Sequence, residues 1–432
     1  MRHPFISCAV FSASSFVARV SCLVLFLFLT ACTIQRPLAY RIDDHFTVAD
    51  PQFAQTIGHL LGPPLLPGNT CTTLVNGDQI FPSMLDAIRS AQKTITFETH
   101  VYWNGDIGHQ FALAFADRAK AGVKVHVILD WYGSAQVGAD DYKLMQNAGV
   151  EIRKYNALRL FDPLSYSELD HRTHRKLLVI DGKVGFTGGA GIADMWAGNA
   201  QDPDHWRDNH YRLEGPAVAQ LQAAFADNWM KTAGVVLQGN DYFPPIAPAG
   251  HQFAQVFKSS PQGGSENMQL LILMSIAHAG KTIRIESAYF VPDKRTLQTL
   301  IEAANRGVKI EIIVPASRAA WGGLLKAGDI DRGGQAGGID IYEYKPTMIH
   351  TKLLIIDGLW SSIGSSNMDG RSFRINDEAN LSILDKDFAA TQTQIFDTDK
   401  SHSHHFTLDE WKHRPLLDKI ADQFANSIGP EL

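Results

Sequence analysis

Two short patterns in this 432-residue chain could do chemistry. His350-Thr-Lys352 runs through four residues to Asp357 and on to Gly364-Ser365-Ser366-Asn367, and His174-Arg-Lys176 reaches Asp181 at the same spacing. On a strand, residues two apart share a face, so each imidazole would lie beside an ammonium. That pairing suits a phosphate: a nitrogen to attack or protonate, and a cation to hold the non-bridging oxygens. The Gly-Ser-Ser-Asn367 turn adds small residues and backbone N–H groups, an oxyanion cradle. Two such patterns brought together set two histidines on one phosphorus. One attacks while the other protonates the leaving oxygen, and the roles reverse in the second step. A lone His-x-Lys is most often a half-exposed strand edge, but two full patterns are far beyond chance.

The elements that must position these residues repeat. Lys93-Thr-Ile-Thr-Phe-Glu98 returns as Lys281-Thr-Ile-Arg-Ile-Glu286, Ala119-Lys-Ala-Gly122 as Ala304-Asn-Arg-Gly307, and Gly149-Val-Glu-Ile as Gly338-Ile-Asp-Ile. With the His-Lys-Asp blocks these are four matches in one order, at offsets of 176 to 189 residues. That is a duplicated domain, not a short-period solenoid. β-branched runs over 94–102 and 123–129 flank a helical spacing over 108–120, closed by a capping glycine. The segments 177–180 and 184–187 around Asp181-Gly182 predict a hairpin. The fold class is therefore α/β, with a sheet in each half covered by helices. The expected boundaries are a leader over 1–31, a tether over 32–69, a first half over 70–235, a linker over 236–262 and a second half over 263–432. An insertion before His174, carrying Arg159, Phe161, Tyr166 and His171, reads as an edge of the substrate entrance.

On these blocks the chain resembles the phospholipase D superfamily, and within it the bacterial cardiolipin synthases. The resemblance rests on Phe97-Glu98-Thr-His100, His174-Arg-Lys176 to Asp181, Trp206-Arg-Asp208 with Gly215-Pro216, Glu286-Ser-Ala-Tyr289, and Gly364 to Phe373 with Asn376 and Glu378. It implies two pseudo-twofold-related α/β/α sandwich halves with one shared active site at their interface. It also implies a metal-free phosphohistidine mechanism: His174 takes the phosphatidyl group and His350 acts as general acid, then base. Lys176, Lys352 and Asn367 would hold phosphate oxygens, while Asp181 and Asp357 would order their turns. Asp208 and Glu378, 34 and 28 residues after their histidines, resemble the carboxylates that hold an imidazole's distal nitrogen. Glu98, His100 and Glu286 either shape the site or end their strands. One departure stands out: Gly191 follows Gly188-Gly189-Ala190 where the family places asparagine.

Apolar residues at 45% and charges at 19% exclude disorder, collagen and disulfide scaffolds, and a net charge of −6 argues against a dedicated nucleic-acid binder. No uninterrupted apolar run reaches 18 residues, so no spanning helix is expected. Basic residues, a short apolar run and Leu29-Thr-Ala-Cys32 read as a lipoprotein signal, with Cys32 lipidated and Cys71 left as a free thiol. Thr33 after it weakly favours an outer-membrane address facing the periplasm. His402, His404 and His405 lack useful co-ligands and read as a solvated loop rather than a metal site. No metal, cofactor or nucleotide is expected, since no phosphate-binding glycine fingerprint occurs. Anionic phospholipids and a membrane surface are the expected partners. The first functional reading is a phosphatidyltransferase making cardiolipin from phosphatidylglycerol. The rivals are a phospholipase D that uses water, a nuclease of the same superfamily, and a head-group-binding lipoprotein with a dead site.

Overall fold

Strand propensity and the two hairpin turns decide the architecture. In the first half the strands are β1 (Leu66–Val75), β2 (Thr94–Thr99), β3 (Lys124–Asp130), β4 (Glu151–Tyr155), β5 (Leu177–Ile180), β6 (Val184–Gly188) and β7 (Asn209–Glu214). The second half contributes β8 (Gln252–Ser259), β9 (Thr282–Ser287), β10 (Phe290–Val291), β11 (Lys309–Pro315), β12 (Ile339–Tyr344), β13 (Lys352–Ile356), β14 (Trp360–Gly364), β15 (Met368–Asp369), β16 (Glu378–Leu384) and β17 (Ser403–Phe406). The computed structural model describes residues 46–157, 170–260, 267–315 and 339–407, with the isolated positions Ile42, Glu410 and His413. Cys32 and the leader, like Arg159, Phe161 and Tyr166 of the insertion, lie outside the described residues.

The hydrogen-bonded order is β17-β12-β11-β9-β13-β14-β16-β8-β1-β7-β6-β5-β2-β3-β4. Read outward from the β8–β1 junction, the halves match strand for strand as far as β4 and β12, beyond which β17 adds an eighth strand to the second half among the described residues. The repeats seen in sequence are thus repeats in space, and the sheets of the two halves join edge to edge. β8 falls inside the span expected as a linker, and β1 begins inside the expected tether. The Gly/Pro-rich stretch before Gly250 ends sooner than the linker expectation allowed, and Gln252 to Ser259 pairs in register with β16. The β5–β6 hairpin turns at Asp181 and Gly182, with φ of 52° and 64°, the left-handed geometry of an Asp-Gly β-turn, closed by Lys183 N donating to Ile180 O at 2.9 Å.

Helices Val218–Ala233 and Lys386–Ser401 are equivalent in the two halves and bring the halves together. Leu221, Phe225 and Trp229 of the first helix share one core with Phe388 and Ala389 of the second and with Val256, Leu353, Ile355 and Leu381. Burial of so many large side chains, at about 25 cal/mol per Å² of apolar surface, makes the contact between the halves a core rather than a hinge. The His-rich segment differs from expectation. Ser403–Phe406 forms β17, an edge strand antiparallel to β12, with His405 facing Asp340 at 3.3 Å and His404 facing Glu410 at 2.9 Å.

Candidate active site

The two histidines sit in extended lead-ins to β5 and β13 rather than inside the strands, and each is tied to the other half. His174 N donates to Asp377 O at 2.9 Å, and Asp377 N donates to Arg172 O at 2.9 Å. In the second tie, His350 N donates to Arg207 O at 2.7 Å, and Arg207 N donates to Met348 O at 2.9 Å. These parallel bridges carry Asp208 and Glu378 across the interface. His350 Nδ1 lies 2.8 Å from Asp208 Oδ2, and His174 Nδ1 lies 3.0 Å from both oxygens of Glu378. Each imidazole therefore takes its carboxylate from the opposite half, which corrects the pairing expected from sequence offsets. The reason is topological. β6 separates β5 from β7, and β14 separates β13 from β16, so an acid at the head of β7 or β16 stands two strand spacings, about 10 Å, from the histidine of its own half.

Both lysines fold back on their histidines. Lys176 Nζ donates to His174 O at 2.8 Å; Lys352 Nζ donates to His350 O at 2.6 Å and sits 3.1 Å from that ring's Nε2. All four side chains are buried. Burial, then the lysine charges, holds both imidazoles well below their usual value, which leaves His174 neutral and nucleophilic; an anion entering the site offsets the lysine charges and favours the protonated form of His350. Burial brings Lys176 down to about 7 and Lys352 to about 8, and it pushes Asp208 up to about 6 and Glu378 to about 7. A phosphodiester anion entering between two such lysines would restore their protons and gain two charge-assisted contacts.

The remaining expected residues fall into three groups. Asp181 accepts from the backbone N–H groups of Gln92, Lys93 and Thr94, and Asp357 from those of Gly280, Lys281 and Thr282. Both lie at the ends of β5 and β13 opposite the histidines and hold turns. Glu98 and Glu286 stand behind the site. Thr173, next to His174, donates to Glu98, and Thr351, next to His350, donates to Glu286 at 2.7 Å. Burial pushes Glu286 up to about 8, with the buried Asp399 beside it acting in the same direction. Asn367 is buried with its Oδ1 unpartnered, and its N–H reaches Ser372 Oγ at 3.1 Å.

Sequence reasoning overlooked Trp196, Asp399 and Arg175. Trp196 Nε1 donates to Asp208 Oδ2 at 3.0 Å. Arg207 grips Asp399 with Nε and a terminal nitrogen at 3.0 and 2.7 Å, while Arg175 donates to Ser259 O at 2.8 Å. No spacing pattern announces such contacts; only the Trp206-Arg-Asp208 run hinted at one. At Gly191 a side-chain carbon would lie 2.8 Å from Val101 Cβ and 3.0 Å from Trp196 Cζ3, so packing fills the place of the missing asparagine. His171 reaches the second half through Nδ1 and Ile375 O at 3.0 Å. A group with metal-like spacing, His251, Asp385 and Asp387, lies at the surface, with His251 and Asp387 exposed and Asp385 half-buried, where Asp385 already caps a helix.

A chain solved as phosphatidylserine synthase from Haemophilus influenzae superimposes with a TM-score of 0.68 at 15% identity, covering 88% of this chain and 99% of that one. Cardiolipin synthase of Geobacillus kaustophilus is 30% identical over 92% of this chain and 76% of its own length. Cardiolipin synthase A of Pseudomonas fluorescens is 30% identical over 85% of this chain and 76% of its own. The family described as cardiolipin synthase, PLD-like domain, matches residues 84–229 and 272–400, one stretch in each half. With two histidine–lysine pairs converging at a duplicated interface and relatives matched over most of their length, this chain belongs to the cardiolipin synthase, PLD-like domain family.

Proposed function

We infer that the protein is a phosphatidyltransferase that makes cardiolipin from phosphatidylglycerol or another phospholipid donor. The observation that carries this is the crosswise site: two buried histidines, each oriented by a carboxylate of the other half and each with a lysine folded against it. His174 Nε2 attacks phosphorus and the P–O bond to the head-group alcohol breaks. The entering phosphodiester anion and Asp208 together charge His350 as imidazolium; it gives its Nε2 proton to that oxygen and then, neutral, takes one from the incoming hydroxyl as the phosphatidyl group moves on. A phosphodiester is exchanged for a phosphodiester, so no nucleotide is needed. Glu378 supports the positive charge that develops on His174, and Asp208 does the same for His350. Lipidation at Cys32, placing the site at the periplasmic face of a membrane, fits an envelope lipid substrate; among the described residues no helix is long and apolar enough to cross a membrane.

Purified protein mixed with phosphatidylglycerol vesicles in EDTA should yield cardiolipin and glycerol. Phosphatidic acid as the sole product would make it a hydrolase, and dependence on added Zn²⁺ or Mg²⁺ would refute the mechanism. His174→Ala and His350→Ala should each lose nearly as much turnover as the double variant, because both act on one phosphorus.

A further inference from the structure

The two halves of the site share a histidine, a lysine and a crossed carboxylate, and differ in what surrounds them. His174 has polar company. The His100 ring lies 5.3 Å away at 71°, and Ser365 Oγ donates to Glu378 Oε2 at 2.5 Å behind it. His350 has aromatic company: Trp196 at 5.5 Å, Trp206 at 5.4 Å and Tyr289 at 6.4 Å between ring centroids. The internal repeat shows how the exchange is made. Glu98-Thr-His100-Val101 in one half is Glu286-Ser-Ala288-Tyr289 in the other, so the imidazole and the aromatic ring trade sides. Both tryptophans come from the stretch between Gly188 and Asp208, which is longer than its counterpart from Gly364 to Glu378. Trp196 is buried and committed to Asp208. Trp206 and Tyr289 are only half-buried, and their rings stand next to His350.

We propose that Trp206 and Tyr289 determine acceptor specificity, forming an apolar wall on the His350 side that admits a glyceryl alcohol and keeps water out. The proposal rests on the assignment of His350 as the acid–base group. An incoming hydroxyl must approach phosphorus opposite the His174–phosphorus bond, which places it at His350. The P–N bond then breaks with its electron pair returning to His174 Nε2, a P–O bond forms to the acceptor oxygen, and the hydroxyl proton passes to His350. Water in that place gives phosphatidic acid; an alcohol gives a phosphodiester. Indole and phenol faces favour the C–H skeleton of a glyceryl group and offer water few fixed partners. An apolar contact of this kind discriminates by about tenfold or more.

The test uses the full chain with phosphatidylglycerol vesicles in ¹⁸O-labelled water, reading the ratio of ¹⁸O-phosphatidic acid to cardiolipin. Trp206→Ala should raise that ratio about tenfold, and Trp206→Phe should return it close to the original value. Tyr289→Ala, on a separate element, should raise it in the same direction and stands in if the tryptophan variant fails to fold. A ratio that stays constant in the folded variants, whatever happens to their rates, overturns the wall. If the unaltered chain makes cardiolipin and the ratio does not move, only this assignment falls. If the unaltered chain makes no cardiolipin, the functional reading fails and takes the wall with it.

Discussion

The crossed carboxylates can be separated kinetically. In Asp208→Asn, three donors converge on the side chain: His350 Nδ1 at 2.8 Å and Trp196 Nε1 at 3.0 Å on Oδ2, and the Asn209 N–H at 2.8 Å on Oδ1. An amide offers one oxygen. Whichever way it turns, a donor faces its NH₂ group, and the charge that stabilises His350 as imidazolium is gone. Breaking a buried pair of this kind costs about 3–5 kcal/mol, or about 10² to 10⁴ in rate. The loss belongs to the leaving-group proton, because Asp208 serves the acid. With a donor bearing a nitrophenolate-type leaving group that needs no proton, Asp208→Asn should still form the His174 adduct at close to the original rate. Glu378→Gln should slow adduct formation with either donor, since Glu378 holds the nucleophile. Rapid mixing, an alkaline quench that spares phosphohistidine, and mass spectrometry read both rates. If Asp208→Asn blocks the adduct while Glu378→Gln spares it, either the crossing or the assignment of roles is wrong.

Gly189→Ala would place a methyl against Asp208 Oδ1, so it should lose about 10²-fold in turnover with natural donor, the low end of the Asp208→Asn loss. Full activity in that variant would show that the Asp208 contact does not matter. Gly191→Asn, which restores the residue usual in the family, meets Val101 and Trp196 and should lower stability by about 1–3 kcal/mol in urea unfolding without raising kcat; a more active variant would refute the packing argument. The pH profile of kcat/KM should be a narrow bell. It climbs as Asp208 (about 6) and Glu378 (about 7) ionise and falls as Lys176 (about 7) and Lys352 (about 8) lose their protons. Bound phosphate holds those lysines charged, so the alkaline limb of kcat should lie at higher pH than that of kcat/KM; coincident limbs would argue against lysine–phosphate contact.

Residue order alone determined a large part of this protein. The duplicated His-Lys-Asp blocks, the matched strands around Glu98 and Glu286 and the Asp-Gly turns are local features, carried by side-chain period and turn chemistry, and they are legible without coordinates. β1 and β8 were not: they are edge partners of one another, recognisable only by what pairs with them, and they join the two sheets. Counting forward from each histidine also misassigned its carboxylate. Asp208 and Glu378 were found, but their partners were exchanged, because sheet order puts a strand between each acid and the histidine of its own half while the bridges at Arg207 and Asp377 bring it to the other. Trp196, Trp206 and Tyr289 around His350, and His100 beside His174, likewise gain meaning only from the interface. Periodicity acts along one chain segment and can be read there. The environment of each histidine is set by contacts between residues as many as 204 positions apart, and only the folded interface fixes which of those contacts exist.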